Sequence, residues 1–263
     1  MANNCVVVIP VYKETLTDYE KISLQQGLKV LHQRDIIFIA PVGLDLSYYQ
    51  SLSETPIGTQ FFDKDYFKDI KGYNRLMVSK EFYSAFDTYK FMLIYQTDCF
   101  IFRDELDDWC RRNYSYVGAP WPENDGSGNV WFKYVGNGGF SLRKISDHLK
   151  VLEDTASVTK TLFSFNGSRF SSWYALFRLR KNDWSVYKES DKNEDMFFGK
   201  NSTKSFNYFT TPPADEALDF GMELRAKEVF KYHNERLPMG IHAWWKDDFD
   251  LWKPFIEKEG YTL

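Results

Sequence analysis

Four short stretches of this chain carry residue types and spacings that can do chemistry. They are Gln96-Thr97-Asp98, Asn137-Gly138-Gly139, the adjacent acids Glu194 and Asp195, and His242 within Pro238-Met239-Gly240-Ile241-His242-Ala243-Trp244-Trp245. Asp98 follows the apolar run Phe91–Tyr95. A carboxylate fixed at a strand end can hold Mg²⁺ or Mn²⁺ that also binds a diphosphate, because hard cations prefer oxygen ligands. In isolation such an aspartate more often caps a turn. Two adjacent glycines let a backbone pass close to a ligand. Asn137 offers an amide for sugar hydroxyls, and Trp121 in Tyr116-Val117-Gly118-Ala119-Pro120-Trp121 offers a ring face. One of Glu194 and Asp195 can accept the proton of an attacking hydroxyl. Acids also open helices, where the macrodipole favours them. By itself, His242 between apolar neighbours reads as a core histidine.

Those residues need a scaffold, and the apolar patterning supplies one. Cys5–Pro10, residues 35–40 and Phe91–Tyr95 are unbroken β-branched or aromatic runs, as expected of strands buried on both faces. Between them, residues 17–33 and 72–86 read as amphipathic helices. Strand–helix alternation predicts an α/β fold with a mixed, mostly parallel sheet flanked by helices. In such sheets ligands bind beyond the carboxyl ends of the strands. The turn Pro10-Val11-Tyr12-Lys13-Glu14 and the tripeptide Gln96-Thr97-Asp98 fall there. That turn can set Tyr12 against a base and Glu14 near a ribose. Later, short strands are expected near Tyr116–Gly118 and 139–142, with helices near 144–154, 193–199 and 213–227. No linker or repeat divides residues 1–263, so one domain is expected, its halves meeting near residue 112.

The net charge of −4 gives no support to a nucleic-acid partner. Aromatic residues reach 18%, more than a core needs, and surplus rings suit sugar faces. The three cysteines lack metal-ligand spacing and suit a reducing compartment. With no signal-peptide pattern and no run of eighteen apolar residues, the expected location is the cytoplasm. In residues 155–190, Lys160, Arg169, Arg178, Arg180, Lys181 and Lys188 face only Asp183 and Glu189, with Trp173, Tyr174 and Phe177 interleaved. Rings beside cations suit a glycan or a lipid-linked acceptor, with peripheral contact at the inner face of the membrane. Charge runs of this kind also serve as solvated faces.

Taken in order, the motifs V-V-I-P-V-Y-K-E at 7–14, L-I-Y-Q-T-D-C-F-I-F at 93–102, D-E-L-D-D-W-C at 104–110, Y-V-G-A-P-W at 116–121, G-N-G-G-F-S-L-R at 136–143, N-E-D-M-F-F at 193–198 and P-M-G-I-H-A-W-W at 238–245 span nearly the whole chain. In that order the sequence resembles the GT-A superfamily of glycosyltransferases, and within it a group of bacterial proteins. The resemblance implies a Rossmann-like sheet that binds a nucleotide-sugar donor in its first half, with the donor sugar and acceptor in its second. It implies that Pro10, Val11, Tyr12, Glu14, Gln96, Thr97 and Asp98 contact the nucleotide. Asn137, Gly138 and Gly139 would then line the donor-sugar pocket. By the same likeness Asp98 matches the last carboxylate of an Asp-x-Asp metal motif, His242 completes the metal site, and Glu194 and Asp195 match the acidic pair of inverting enzymes. The chain departs from the motif at Gln96, where the first carboxylate is replaced by an amide.

The reaction expected is transfer of a hexose or N-acetylhexosamine from a UDP-sugar, dependent on Mn²⁺ or Mg²⁺ and inverting. Trp121, Arg178 and Arg180 are expected on the acceptor side. Two other classes fit the same residues. A catalytically silent nucleotide- or sugar-binding protein would explain Gln96, and a glycoside hydrolase would use Glu194 or Asp195 with a distant acid. A nucleotidyltransferase fits less well, because Val11-Tyr12-Lys13-Glu14 is not a Gly-rich phosphate loop.

Overall fold

The computed structural model of the chain describes residues 4–124, 129–153 and 193–263. Strand β1 (Cys5–Pro10) is buried along its whole length, as its unbroken V-V-V-I run requires. The following strands are β2 (Asp35–Pro41), β3 (Gly58–Phe62), β4 (Phe91–Tyr95), β5 (Cys99–Ile101), β6 (Tyr116–Gly118), β7 (Pro120–Asn124), β8 (Val130–Val135), β9 (Phe140–Lys144), β10 (Gly221–Met222) and β11 (Gly240–His242). The main sheet runs β3-β2-β1-β4-β9-β6. Pairings among β3, β2, β1 and β4 are parallel, and β9 runs antiparallel to both β4 and β6.

Helices α1 (Asp18–Val30), α2 (Ser47–Gln50), α3 (Ile70–Met77), α4 (Lys80–Ser84), α5 (Leu106–Arg112) and α6 (Ile145–Glu153) pack around this sheet. Successive residues of β1 serve opposite faces. Val6 and Val8 join Leu76 of α3, Phe82 of α4 and Val151 of α6. Val7 and Ile9 join Leu24 of α1 and Trp109 of α5. The fold is therefore α/β with helices on both faces, as the patterning predicts. Among the described residues, no helix is long and apolar enough to cross a membrane.

Three helices differ from the sequence reading. The helix expected over 72–86 is two, because the Ser79 side chain accepts the Phe82 N–H at 3.1 Å and starts α4 afresh. The helix expected over 213–227 stops at Ala214–Phe220. There Gly221 and Met222 leave it to pair with β11, and a new helix, Ala226–Tyr232, starts after Arg225 at φ 54°. The third, expected over 193–199, runs on as a π-helix, Met196–Ser202. The basic, aromatic stretch 155–190, with Arg178 and Arg180, lies outside the described residues.

A second, three-stranded sheet matters most for the site. Its order is β10-β11-β5, with β10 parallel and β5 antiparallel to β11. Met222 is opposite Ile241, and His242 is opposite Cys99. This register sets the next residue, Glu223, and the preceding residue, Asp98, on either side of His242.

Candidate active site

A cavity of about 830 Å³ opens where the chain leaves β1 and β4. Strand order reverses between these two strands, and a crevice beyond their carboxyl ends is where open α/β sheets take ligands. Pro10, Tyr12, Gln96, Thr97, Asp98 and Trp121 line it, as do residues 137–139, Glu194, Asp195 and His242. Two of the expected nucleotide residues are not there. Val11 is buried in the core, where its N–H donates to the Ile39 carbonyl, and Glu14 is exposed outside the cavity lining. Alternation along an extended segment sends neighbours to opposite sides, so Tyr12 faces the opening while Val11 faces the core.

One group of polar side chains centres on His242. Its Nε2 lies 3.0 Å from Asp98 Oδ1 and 3.3 Å from Gln96 Oε1, and its Nδ1 lies 2.8 Å from Glu223 Oε1. Lys246 donates to Asp98 Oδ2 at 2.6 Å. Burial works against charge on both partners, yet each ion overrides it for the other. Glu223 and Asp98 raise His242 to about 10, and His242 with Lys246 holds the Asp98 carboxyl well below its ordinary range. The backbone reinforces the pairing: Ala243 takes a left-handed φ of 53° and donates its N–H to the Asp98 carbonyl at 2.9 Å. A non-glycine residue in that region costs of order 1 kcal/mol, so neighbouring contacts must hold it there.

This group fits a divalent cation. Adjacent ligands around an octahedral ion with bonds of about 2.1 Å lie about 3.0 Å apart, which matches the spacing from Asp98 Oδ1 to His242 Nε2. Gln96 Oε1 adds a neutral oxygen. Cys99 falls in the same cluster. However, burial and the Asp98 charge push its thiol well up, and its S–H donates to the Gly139 carbonyl at 3.1 Å. A protonated thiol engaged elsewhere is a poor ligand, so the groups able to hold a cation are Asp98 and Gln96, with His242 joining them only when an ion displaces the proton its Nε2 shares with Asp98.

The second group centres on Asp195. Trp121 Nε1 donates to its Oδ2 at 3.1 Å, and the Met196 N–H donates to Oδ1 at 2.8 Å. Burial, then the charge of Glu194, pushes Asp195 up to about 7 despite these donors. Glu194 is held differently. Arg143, itself fully buried, donates Nη2 to Glu194 Oε1 at 2.8 Å. The same guanidinium reaches Tyr83 Oη at 3.0 Å and the Gly138 carbonyl at 3.2 Å. Asn74 Oδ1 accepts the Glu194 N–H at 3.3 Å. One face of Trp121 is covered by Tyr134, with ring centroids 5.6 Å apart, so its main contacts here are with Asp195 and Tyr134.

Residues 137–139 join the groups. Asn137 Oδ1 accepts the N–H groups of Gly139 and Phe140 at 2.9 Å, and its Nδ2 donates to Glu223. A side chain at 138 would collide with the Glu194 carboxylate, and one at 139 with the His242 ring and Gln96. The glycine pair is needed because both polar groups press against that backbone.

Sequence reasoning missed Glu223, Lys246, Arg143 and Asn74. Arg143 and Lys246 lie within or one residue beyond recognised motifs, and that adjacency was the available signal. Nothing in Gly221-Met222-Glu223 announces a site residue, since only the strand register brings it to His242.

The profile of the family described as "Protein of unknown function (DUF5672)" matches residues 56–242, more than half of the chain. The chain belongs to that family. No curated protein matches it in sequence. In fold it is similar to solved glycosyltransferases. One is the galactosyltransferase LgtC in complex with donor and acceptor sugar analogues, at TM-score 0.53 and 11% identity, covering 98% of this chain and 97% of that one. An active-site mutant of LgtC gives TM-score 0.52 at 11% identity, with the same coverage of 98% and 97%. Against the glycosyltransferase GlyE of Streptococcus pneumoniae TIGR4 the TM-score is 0.49 at 10% identity, covering 90% of this chain and 54% of that one. The chain thus spans about half the length of GlyE. At such identities the likeness is one of fold, that of the GT-A glycosyltransferases.

Proposed function

We propose that this chain is a glycosyltransferase that moves a sugar from a nucleotide-sugar donor, a UDP-hexose or UDP-N-acetylhexosamine, to a hydroxyl of a glycan or lipid-linked acceptor. The observation that carries the proposal is the pairing, on one cavity at the sheet's switch point, of a cation-ready donor set with a separate aspartate raised to about 7. A hydrolase of glycosides needs two carboxyls and no nucleotide; it gives the Asp98–His242–Gln96 set no task.

In this reading Asp98, His242 and Gln96 hold Mn²⁺ or Mg²⁺. When bound, the cation supplies Lewis-acid stabilisation of charge on the departing diphosphate. The described cavity lining carries more acidic than basic groups, which favours such a cation beside an anionic donor. Its carboxyl groups are Glu20, Asp69, Asp98, Glu194, Asp195 and Glu223, against Lys68, Lys246 and His242. Tyr12, half exposed at the end of β1, is placed to cover a base. Gly138, half-buried, and Gly139, buried, line the donor-sugar side of the cavity, and Asn137 braces them there. Asp195 takes the proton of the acceptor hydroxyl, and its raised pKa makes it a competent base near neutral pH. Glu194, fixed by Arg143, positions the sugar. A base free of covalent commitment fits inversion at the anomeric carbon. Arg178, Arg180 and Trp121 remain assigned to the acceptor side, and the enzyme to the cytoplasm, peripheral to the inner membrane face. Its three free, buried cysteines suit that compartment.

UDP-sugar hydrolysis measured with and without Mn²⁺ tests the proposal. Expected is slow, Mn²⁺-stimulated release of UDP. UDP binding without any turnover across donors and acceptors would instead leave a binding protein on this fold. A product that retains the donor's anomeric configuration would overturn inversion while leaving the transferase reading intact.

A further inference from the structure

Glu223 belongs to no recognised motif, yet its carboxylate touches two parts of the site at once. Oε1 lies 2.8 Å from His242 Nδ1, and Oε2 accepts from Asn137 Nδ2 at 2.5 Å. Its side chain is only 19% exposed, so both contacts are shielded from water. The parallel register of β10 and β11 sets up this approach: Met222 is opposite Ile241, and Glu223 and His242 are the residues that follow them. On the far side of the same ring, Nε2 faces Asp98 Oδ1 at 3.0 Å and Gln96 Oε1 at 3.3 Å.

We infer that Glu223 is a positioning residue: it holds the Nδ1–H of His242, so that Nε2 is presented to Asp98 and Gln96, and it ties that ring to the Asn137–Gly139 backbone. This rests on the proposed reading of Asp98, His242 and Gln96 as cation ligands. An imidazole has two nitrogens, and a hydrogen bond at one decides which is free to bind. A carboxylate behind a ligating histidine fixes tautomer and ring angle and makes the ligand more basic. The second oxygen of Glu223 is anchored as well, on Asn137. Asn137 cannot rotate away, since its own Oδ1 is committed to the N–H groups of Gly139 and Phe140. Donor-sugar backbone and cation ligands are therefore held in one hydrogen-bonded unit, Gly139–Asn137–Glu223–His242.

Glu223→Gln tests this. Its amide has one oxygen for two donors, so one of the two contacts must be lost or face a second N–H. Titration of Mn²⁺ alone into the full chain, followed by calorimetry, should show affinity lower by about 10–100-fold, the usual cost of removing such a partner. Nitrogen NMR of His242 in metal-free protein gives a readout independent of metal: the shift of the Nδ1–H bonded to Glu223 should change in the variant, and that of Nε2–H, which faces Asp98, should change less. The thermal midpoint should stay close to wild type, which separates positioning from general loss of structure. Should Glu223→Gln bind Mn²⁺ like wild type while Asp98→Asn does not, the positioning role is overturned and the cation site stands. If wild type itself binds no Mn²⁺, the cation reading falls and this inference with it. Should the His242 nitrogen signals also match in wild type and variant, even the orienting contact is excluded.

Discussion

The Asp98 side of the cavity and the Asp195 side each present a largely buried aspartate, and their surroundings drive the two carboxyls in opposite directions. Asp98 has His242 and Lys246 within 3.0 Å and 2.6 Å, so its charge is favoured in spite of burial. Among the described residues Asp195 has a tryptophan and a backbone N–H as donors, with Glu194 beside it, so burial and like charge win. Among the described residues, the buried cation on that side is Arg143, and it is spent on Glu194. Two carboxyls whose surroundings push them apart can take different tasks at one pH. The ionised one suits a cation, and the one poised near 7 suits proton transfer.

The largest expected effect comes from unbalancing the Asp195 side. Arg143→Met should lower stability by about 3–5 kcal/mol, because it strands a buried carboxylate without its partner. Urea unfolding measures this, and a change below about 1 kcal/mol would mean the pair is not holding that side together. Asp195→Asn should lower kcat by about 10²-fold or more while UDP binding and fold persist. Normal turnover in that variant would remove Asp195 as the base.

Smaller effects sharpen the contrast. Asp98→Asn keeps the shape but removes the charge, and Mn²⁺-dependent UDP affinity should drop by about tenfold or more, as for other partners of a bound ion. Equal affinity with and without the charge would return Asp98 to a turn cap. The pH profile follows from the raised carboxyl: a base must be ionised, so kcat should climb with pH up to about 7 and level off above it. Trp121→Phe removes a donor that favours the Asp195 charge, so that limb should move upward by roughly one to two pH units. An unmoved limb would assign it to another group.

Much of the scaffold was readable from residue types. Strands buried on both faces demand unbroken apolar runs, so β1 and β4 were legible to the residue and β2 to within one. Helix breaks were not, because Ser79 and Gly221 act through a cap and through pairing with a distant strand. Asp98, the 137–139 segment, the acidic pair and His242 could be picked out from motif order, and the structure gathers them on one cavity. Their electrostatics could not be read. Two aspartates with the same ordinary pKa diverge only through neighbours from other segments, at distances the chain's own order does not encode.

By itself, then, the sequence determined the alternation of buried strands and helices, and the identity of the groups able to bind an ion or take a proton. Those follow from local periodicity and from side-chain chemistry, which need no partner. Tertiary structure alone decided that Glu223 stands behind His242, that Arg143 pairs with Glu194 and not with Asp195, and that Val11 and Glu14 stay out of the cavity. Each depends on strand register or on packing between residues far apart in the chain, and a shift of one residue would turn the side chain to the other face.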